Sequence, residues 1–143
     1  MDILLRRIDS SLPLPEYKTA GAAAFDLYAR EETVVPAGEI RVIPLNVAMK
    51  LPDNHWAMLA ARGSLFKKGL RLANGVGIMD QDFCGNDDEY RAVVQNFTDQ
   101  PVTVTRGERI VQAIILPMLQ LNIQEVADLA HPSRGGFGTT STH

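Results

Sequence analysis

Cysteine occurs once in 143 residues, at position 84, so no disulfide and no cysteine-based metal cluster can form within one chain. That scarcity fits a reducing, intracellular or cytoplasmic setting. No stretch approaches the roughly 18 to 20 uninterrupted apolar residues of a membrane-spanning helix. The opening Met1-Asp2-Ile3-Leu4-Leu5-Arg6-Arg7 has neither the apolar region nor the cleavage site of a secretory leader. No membrane partner is expected. A basic surplus is missing too, since 14 Lys and Arg stand against 17 Asp and Glu for a net charge of -3. A protein that gathers many phosphates of polymeric nucleic acid carries the opposite excess. Polymeric nucleic acid is therefore not expected as a partner, whereas a small anionic ligand held by a few local cations is compatible with this balance.

No internal repeat or heptad is present, and helical periodicity is almost wholly lacking. What remains, at 45% hydrophobic and 22% charged, is enough for one core, and a single domain over residues 1–143 is expected. Short apolar or alternating runs, broken roughly every 8 to 12 residues by Gly, Pro, Asn or Asp, predict an all-β sandwich or barrel. The candidate strands are Ile40 to Met49, His55 to Ala61, Arg91 to Phe97, Pro101 to Thr105 and Arg109 to Leu116. Turn residues fill the gaps at Pro36 to Glu39, Pro52 to Asn54, Thr98 to Gln100 and Arg106-Gly107, and each gap is short enough for a hairpin. One brief helical turn is predicted at Leu65 to Lys68, with Ser64 as N-cap and Gly69 as the stop. Residues 117–143 form an arm whose end, from Arg134 onward, is rich in Gly, Ser and Thr and cannot build a core of its own.

Within this frame a few segments carry chemistry. In Ala23-Ala24-Phe25-Asp26-Leu27-Tyr28-Ala29 a carboxylate sits inside an apolar run; by itself such an Asp caps a turn as readily as it serves a ligand. In Ala61-Arg62-Gly63-Ser64-Leu65-Phe66-Lys67-Lys68-Gly69 a strand end leads into the helical turn. Free backbone N–H groups there stand beside a guanidinium and a hydroxyl, which suits an anion, although a plain cap with a solvated lysine face would look the same.

The run Leu72 to Gly85 sets Asn74, Asp80, Asp82 and Phe83 among glycines. An amide can both donate to and accept from one edge of a pyrimidine, and a carboxylate can take a proton from water. Asp87-Asp88-Glu89, just beyond, is expected to be a solvated turn. Gln112 alternates with apolar neighbours in Gly107-Glu108-Arg109-Ile110-Val111-Gln112-Ala113-Ile114. Arg134-Gly135-Gly136-Phe137-Gly138-Thr139-Thr140 is a phosphate-friendly loop with a stacking ring, and Phe137 has no local core to join.

Taken in order, these five segments resemble the five ordered motifs of the homotrimeric dUTP pyrophosphatase family, over Ala20 to Thr140. Any one segment is unspecific, but the order and spacing together are not. The resemblance implies a jelly-roll-like β-barrel or sandwich whose C-terminal arm is exchanged between subunits of a homotrimer with shared active sites. It also implies hydrolysis of dUTP to dUMP and pyrophosphate, which limits uracil in DNA and supplies dUMP for dTMP synthesis.

Residue by residue, the resemblance implies that Asp26 holds waters of a Mg²⁺ bound to the triphosphate. Arg62 and the Gly63-Ser64 neighbourhood contact phosphates and the catalytic carboxylate, Asn74 reads uracil, and Asp80 activates the attacking water. Phe83 packs on deoxyribose and Gln112 makes a polar contact with the nucleotide. Arg134 and Thr139 meet phosphates, and Phe137, followed by Gly138, covers the base. An aromatic face against C2′ leaves neither room nor partner for a 2′-hydroxyl, which would reject ribonucleotides.

Three positions depart from the family pattern. Gly63 stands where Ser is usual, Phe83 where Tyr is usual, and Arg134 lies closer than is common to Gly-Gly-Phe-Gly. Two other readings compete with this one. A dCTP deaminase shares the fold but usually carries an Asp-Pro-Gly-Phe-type stretch, against Asp80-Gln81-Asp82-Phe83 here. A catalytically silent nucleotide-binding domain would have no chemical use for Asp80.

Overall fold

Alternation of burial shows how the strands form. In Phe25–Tyr28 the rings and aliphatic chains of Phe25 and Leu27 point inward while Asp26 and Tyr28 stay partly accessible. In Arg91–Asn96 it is Ala92, Val94 and Asn96 that are buried. These two strands thus turn one face to a core and the other outward, the half-buried pattern of a β-sandwich.

A computed structural model describes residues 1–138; Thr139 lies outside the described residues. Eleven strands are present: β1 (Leu4–Arg7), β2 (Phe25–Tyr28), β3 (Thr33–Val35), β4 (Ile40–Pro44), β5 (Val47–Lys50), β6 (His55–Ala61), β7 (Leu70–Leu72), β8 (Gly77–Met79), β9 (Arg91–Asn96), β10 (Val102–Val104) and β11 (Arg109–Pro117). They pair as β2-β11-β6-β8, β4-β9-β7, β1-β5 and β3-β10, with antiparallel pairing throughout the described residues. The fold is all-β and jelly-roll-like.

No strand pairs with its immediate neighbour in sequence. The four short gaps that looked like hairpins therefore close none: each carries the chain from one sheet into another, as Greek-key topology requires. The predicted strand Ile40 to Met49 is also two strands. Asn46 takes the left-handed conformation (φ 70) between β4 and β5, where its buried amide accepts from Asp9 N at 2.6 Å and donates to Asp9 O at 3.0 Å. Those bonds redirect the chain from β9 to β1.

The core between the sheets is formed by Leu27, Ile43, Leu45, Met49, Leu59, Leu70, Tyr90 and Ile110, all fully buried. Each such aliphatic side chain contributes roughly 1.5–3 kcal/mol relative to exposure. Buried Asn96 ties the strand ends together, donating to Val35 O and Gln100 O while accepting from the Thr98 backbone and hydroxyl. Among the described residues no helix is long and apolar enough to cross a membrane.

The single helical element among the described residues is a 3-10 turn at Leu65–Lys68, closed by Gly69 in the left-handed conformation (φ 85). Its extent matches expectation, but Ser64 makes no side-chain capping bond. Asp87-Asp88-Glu89 is a solvated turn only in part: Asp87 is an exposed turn residue, but the two that follow are tied down. Glu89 is buried, accepting from Arg30 at 2.7 and 3.0 Å and from Asn46 N at 2.9 Å, and Asp88 accepts from Gly85 N at 2.8 Å. A buried carboxylate needs such a set of donors, and Glu89 finds it because the wholly buried Tyr90 draws the chain inward.

Candidate active site

Antiparallel pairing places Gln112 of β11 directly opposite Asp26 of β2, and Gln112 is also opposite Ala60 of β6. Residues remote in sequence thus share one sheet face. Gln112 Nε2 donates to Ala61 O at 3.0 Å, which holds the amide over the end of β6. Arg62 follows at once. Its backbone N–H donates to Ile110 O at 3.2 Å, its Nη1 to Arg109 O at 3.2 Å, and its Nε lies 3.2 Å from Asp26 Oδ1. Asp26 therefore caps no turn; it sits in a strand with its carboxylate facing guanidinium groups.

Arg109 completes this group, and sequence reasoning gave it no role. The β2–β11 register slips between Arg109 and Val111, and Arg109 Nη1 reaches Asp26 Oδ2 at 3.4 Å. A signal was there to read: Ile110 and Val111 are consecutive apolar residues before polar Gln112, a break in alternation that marks a bulge.

Beside this group is a groove of about 500 Å³ lined by Arg62, Ser64, Lys67, Lys68, Glu108 and Arg109. Glu108 pairs with Lys68 at 2.5 Å and accepts from Thr105 N at 3.0 Å. Arg62, Lys67 and Arg109 then outnumber Asp26, and the uncommitted Ser64 hydroxyl opens beside them. Such a surface suits a polyanion. Gly63 has open space where a Cβ would stand and no positive φ, so glycine is not demanded there by the backbone.

Asn74, Asp80 and Phe83 make up a second set, which shares no single pocket among the described residues. Asn74 and Gly75 (φ 75) turn the chain from β7 into β8, leaving the Asn74 side chain exposed. Gly77 is held tightly, since a Cβ there would stand 3.0 Å from Leu59 Cβ. Asp80 follows β8, its carbonyl accepting from Phe83 N at 3.2 Å, and its side chain lines a cavity of about 620 Å³ with Lys50, Asp53, Asp82 and Gln120. Phe83 leans on Tyr90, ring centroids 6.1 Å apart at 31°, and lines a separate groove with Met79, Asp87 and Arg91. Among the described residues, no hydrogen bond or ion pair joins this group to Asp26, Arg62, Arg109 and Gln112.

Arg134, Phe137 and Gly138 form a third group on the tail. Phe137 is fully exposed with φ 50, and Arg134 Nε donates to Gly135 O at 3.4 Å. Residues 118–138 contain no strand or helix, and Leu119, Leu121 and Ile123 are exposed in alternation.

The donor chemistry tests a metal. Among the described residues no three His, Cys, Asp or Glu side chains converge to hold an ion unaided. A single part-buried carboxylate such as Asp26 does fit Mg²⁺ that keeps several waters and is carried mainly by substrate phosphates.

A family model described as dUTPase matches residues 10–143. The chain belongs to the dUTPase family. It is 38% identical over 132 residues, 92% of this chain and 88% of the relative, to the deoxyuridine 5'-triphosphate nucleotidohydrolase of an Anaeromyxobacter species. The enzyme of the same name from Caldanaerobacter subterraneus is 39% identical, covering 90% and 88% of the two chains. Among solved structures, the Streptococcus mutans dUTPase superposes with a TM-score of 0.74 at 34% identity, over 82% of this chain and 98% of that one. A variant of the Staphylococcus bacteriophage 80alpha dUTPase, solved with dUpNHpp, reaches a TM-score of 0.82 over 97% and 98% at 19% identity, and so speaks for the dUTPase fold alone.

Proposed function

We propose that this dUTPase-family chain hydrolyses dUTP to dUMP and pyrophosphate, with Asp80 as the base for the attacking water. The observation that carries the reading is the cationic groove beside Asp26 and Gln112, with Arg62, Lys67 and a Ser64 hydroxyl that makes no capping bond, and with Arg109 held on Asp26, in a chain of this family. A triphosphate needs its charge offset, and fixed guanidinium groups and N–H donors do so without reorganising during reaction. Mg²⁺, carried by the phosphates and met through water by Asp26, would supply further charge neutralisation.

Asp80 takes the proton as water oxygen bonds the α-phosphorus in line and the bond to the bridging oxygen breaks, releasing pyrophosphate. Asn74 presents an amide to the uracil edge, and Phe83 packs on the sugar. Arg62 and Ser64 hold phosphates, Gly63 leaving the approach open, and Gln112 makes a polar contact with the nucleotide. Arg134, Phe137, Gly138 and Thr139 close from the arm.

Sheet geometry supports a site shared between copies. Asp26 lies on β2 and Asp80 follows β8, at opposite edges of the β2-β11-β6-β8 sheet. Three strand spacings place them about 14 Å apart across the sheet, with roughly 10 Å or more along it. A carboxylate at each end is then too far apart to serve one reacting phosphate, which needs contacts of about 3 Å. The exposed alternating apolar residues of the arm, with no strand partner among the described residues, suit pairing with another copy. A homotrimer in which three chains build each site meets both demands.

The test is pyrophosphate release from dUTP, dCTP, dTTP and UTP, in Mg²⁺ and in chelator, with sedimentation at assay concentration. Turnover confined to dUTP, dependent on Mg²⁺ and reduced about 10²- to 10⁴-fold in Asp80→Asn, is the expected result. Tight dUTP binding without turnover, or full activity in a monomer, would refute the reading.

A further inference from the structure

We infer that Arg109 is the positioning residue for Asp26, holding that carboxylate in place when the phosphates recruit Arg62. The inference rests on the proposed role of Asp26. It begins with the bulge in β11. Gln112 pairs with Asp26 and Val111 with Leu27, but it is Arg109, not Ile110, that pairs with Tyr28. In an unbroken ladder Arg109 would fall opposite Ala29 and point to the buried face. The extra residue, Ile110, sends two consecutive side chains inward, at 1% and 0% exposure for Ile110 and Val111, and returns Arg109 to the face of Asp26 and Gln112.

The two carboxylate oxygens are then divided between two cations: Oδ1 faces Arg62 Nε at 3.2 Å and Oδ2 faces Arg109 Nη1 at 3.4 Å. The two arginines are not equivalent. Arg62 stands at the strand end beside Ser64, where a phosphate oxygen would compete with Asp26 for its guanidinium. Arg109 leaves its carbonyl to Arg62 Nη1 and keeps its own Nη1 on Asp26. When a phosphate takes Arg62, Arg109 is the group left to fix the carboxylate rotamer and offset its charge. A partner behind a metal-facing carboxylate typically governs affinity as strongly as this requires.

The test is calorimetric binding of the imido analogue dUpNHpp to the full chain, in Mg²⁺ and in chelator, with dUMP as a reference lacking the outer phosphates. The variants are Arg109→Gln, Arg109→Lys, Asp26→Asn and the Asp26→Asn/Arg109→Gln double. Arg109→Gln is expected to weaken Mg²⁺-dependent binding roughly ten- to a hundredfold and to leave dUMP binding unchanged. Arg109→Lys should recover part of the loss, which also controls for folding. The double variant should bind no more weakly than Asp26→Asn alone. Equal weakening by Arg109→Gln in Mg²⁺ and in chelator would make Arg109 a direct phosphate ligand and overturn the inference. So would losses that multiply in the double variant. If Asp26→Asn itself leaves the Mg²⁺ dependence intact, the metal role of Asp26 fails and the inference with it, while dUTP hydrolysis in the separate assay would still stand.

Discussion

Replacing Gly77 with Ala tests whether the fold holds the proposed base in place. Gly77 pairs with Leu59, and an added Cβ would stand 3.0 Å from Leu59 Cβ and 3.4 Å from its Cγ and Cδ1. A Cβ cannot rotate away from its own backbone, so one strand must move. β6 is locked on its other side by a seven-residue register with β11, whereas β8 is a three-residue edge strand paired only with β6. β8 therefore yields, by a few tenths of an ångström, and carries Asp80 with it. Overpacking of this kind costs about 1–3 kcal/mol. Alanine recovers about 0.5–1 kcal/mol of that by restricting the unfolded chain, leaving a net loss centred on about 1 kcal/mol, from about 0 to 2.5. Since misplacement by 1 Å can cost about 10²-fold, kcat should fall about four- to tenfold. Urea denaturation and saturating dUTP turnover on the same preparation measure both. Stability lost with kcat intact would refute the coupling of β8 to Asp80, and no change in either would refute the close contact itself.

Two further outcomes follow from the same structure. Gly63→Ser meets open space at an ordinary backbone angle, so melting should be unchanged within about 0.5 kcal/mol. One added charge-assisted hydrogen bond should lower KM for dUTP by up to about tenfold, and an unchanged KM would mean that Ser64 or backbone N–H groups already make that contact. Tyr90→Phe removes a buried hydroxyl that has no hydrogen-bond partner while keeping the ring against Phe83; stability at pH 7 should rise by about 1 kcal/mol. Burial, and then the charge of Cys84, push the Tyr90 phenol from 10.0 up to about 12. The unfolded chain releases this proton first, so the native protein should lose stability as pH climbs from about 10 to 12, by at most about 2.7 kcal/mol. Melting curves from pH 7 to 11 check this: the variant should lack that part of the decline, and an identical alkaline slope would refute the assignment.

How far the sequence reveals these features depends on the length of the pattern that carries them. His55 to Ala61 is long enough to show its alternation and matches β6; the strands ending at Asn96 and Pro117 differ from expectation by one residue each. β3, β7 and β8 have three residues each, too few for a period of two to separate from chance. The break at Asn46 is hidden because apolar residues flank it on both sides, and the left-handed turn is fixed by Asp9, far away in the chain. Turn chemistry located the gaps at Pro36, Pro52, Thr98 and Arg106 but could not tell a hairpin from a crossing between sheets. That distinction depends on pairing with strands not adjacent in sequence, which no local pattern encodes.

The same non-local pairing explains why the candidate site is legible by residue type but not by assembly. Asp26, Arg62 and Gln112 lie in three separate segments, and each alone has an ordinary structural explanation. They converge because β11 is central, with β2 on one side and β6 on the other, so one strand carries Gln112 and the bulge while its neighbours bring the carboxylate and the guanidinium. The order that gathers these three also puts β6 between them and β8. Asp80 is thereby held away from Asp26 by the arrangement that creates the anion groove. A sheet that instead placed β8 beside β2 would bring both carboxylates together at the triphosphate and bury repelling charges without a metal cluster to hold them. Under the proposed shared site, separating the carboxylates between edges of one sheet and rejoining them across copies of the chain would let each keep its own environment until substrate arrives.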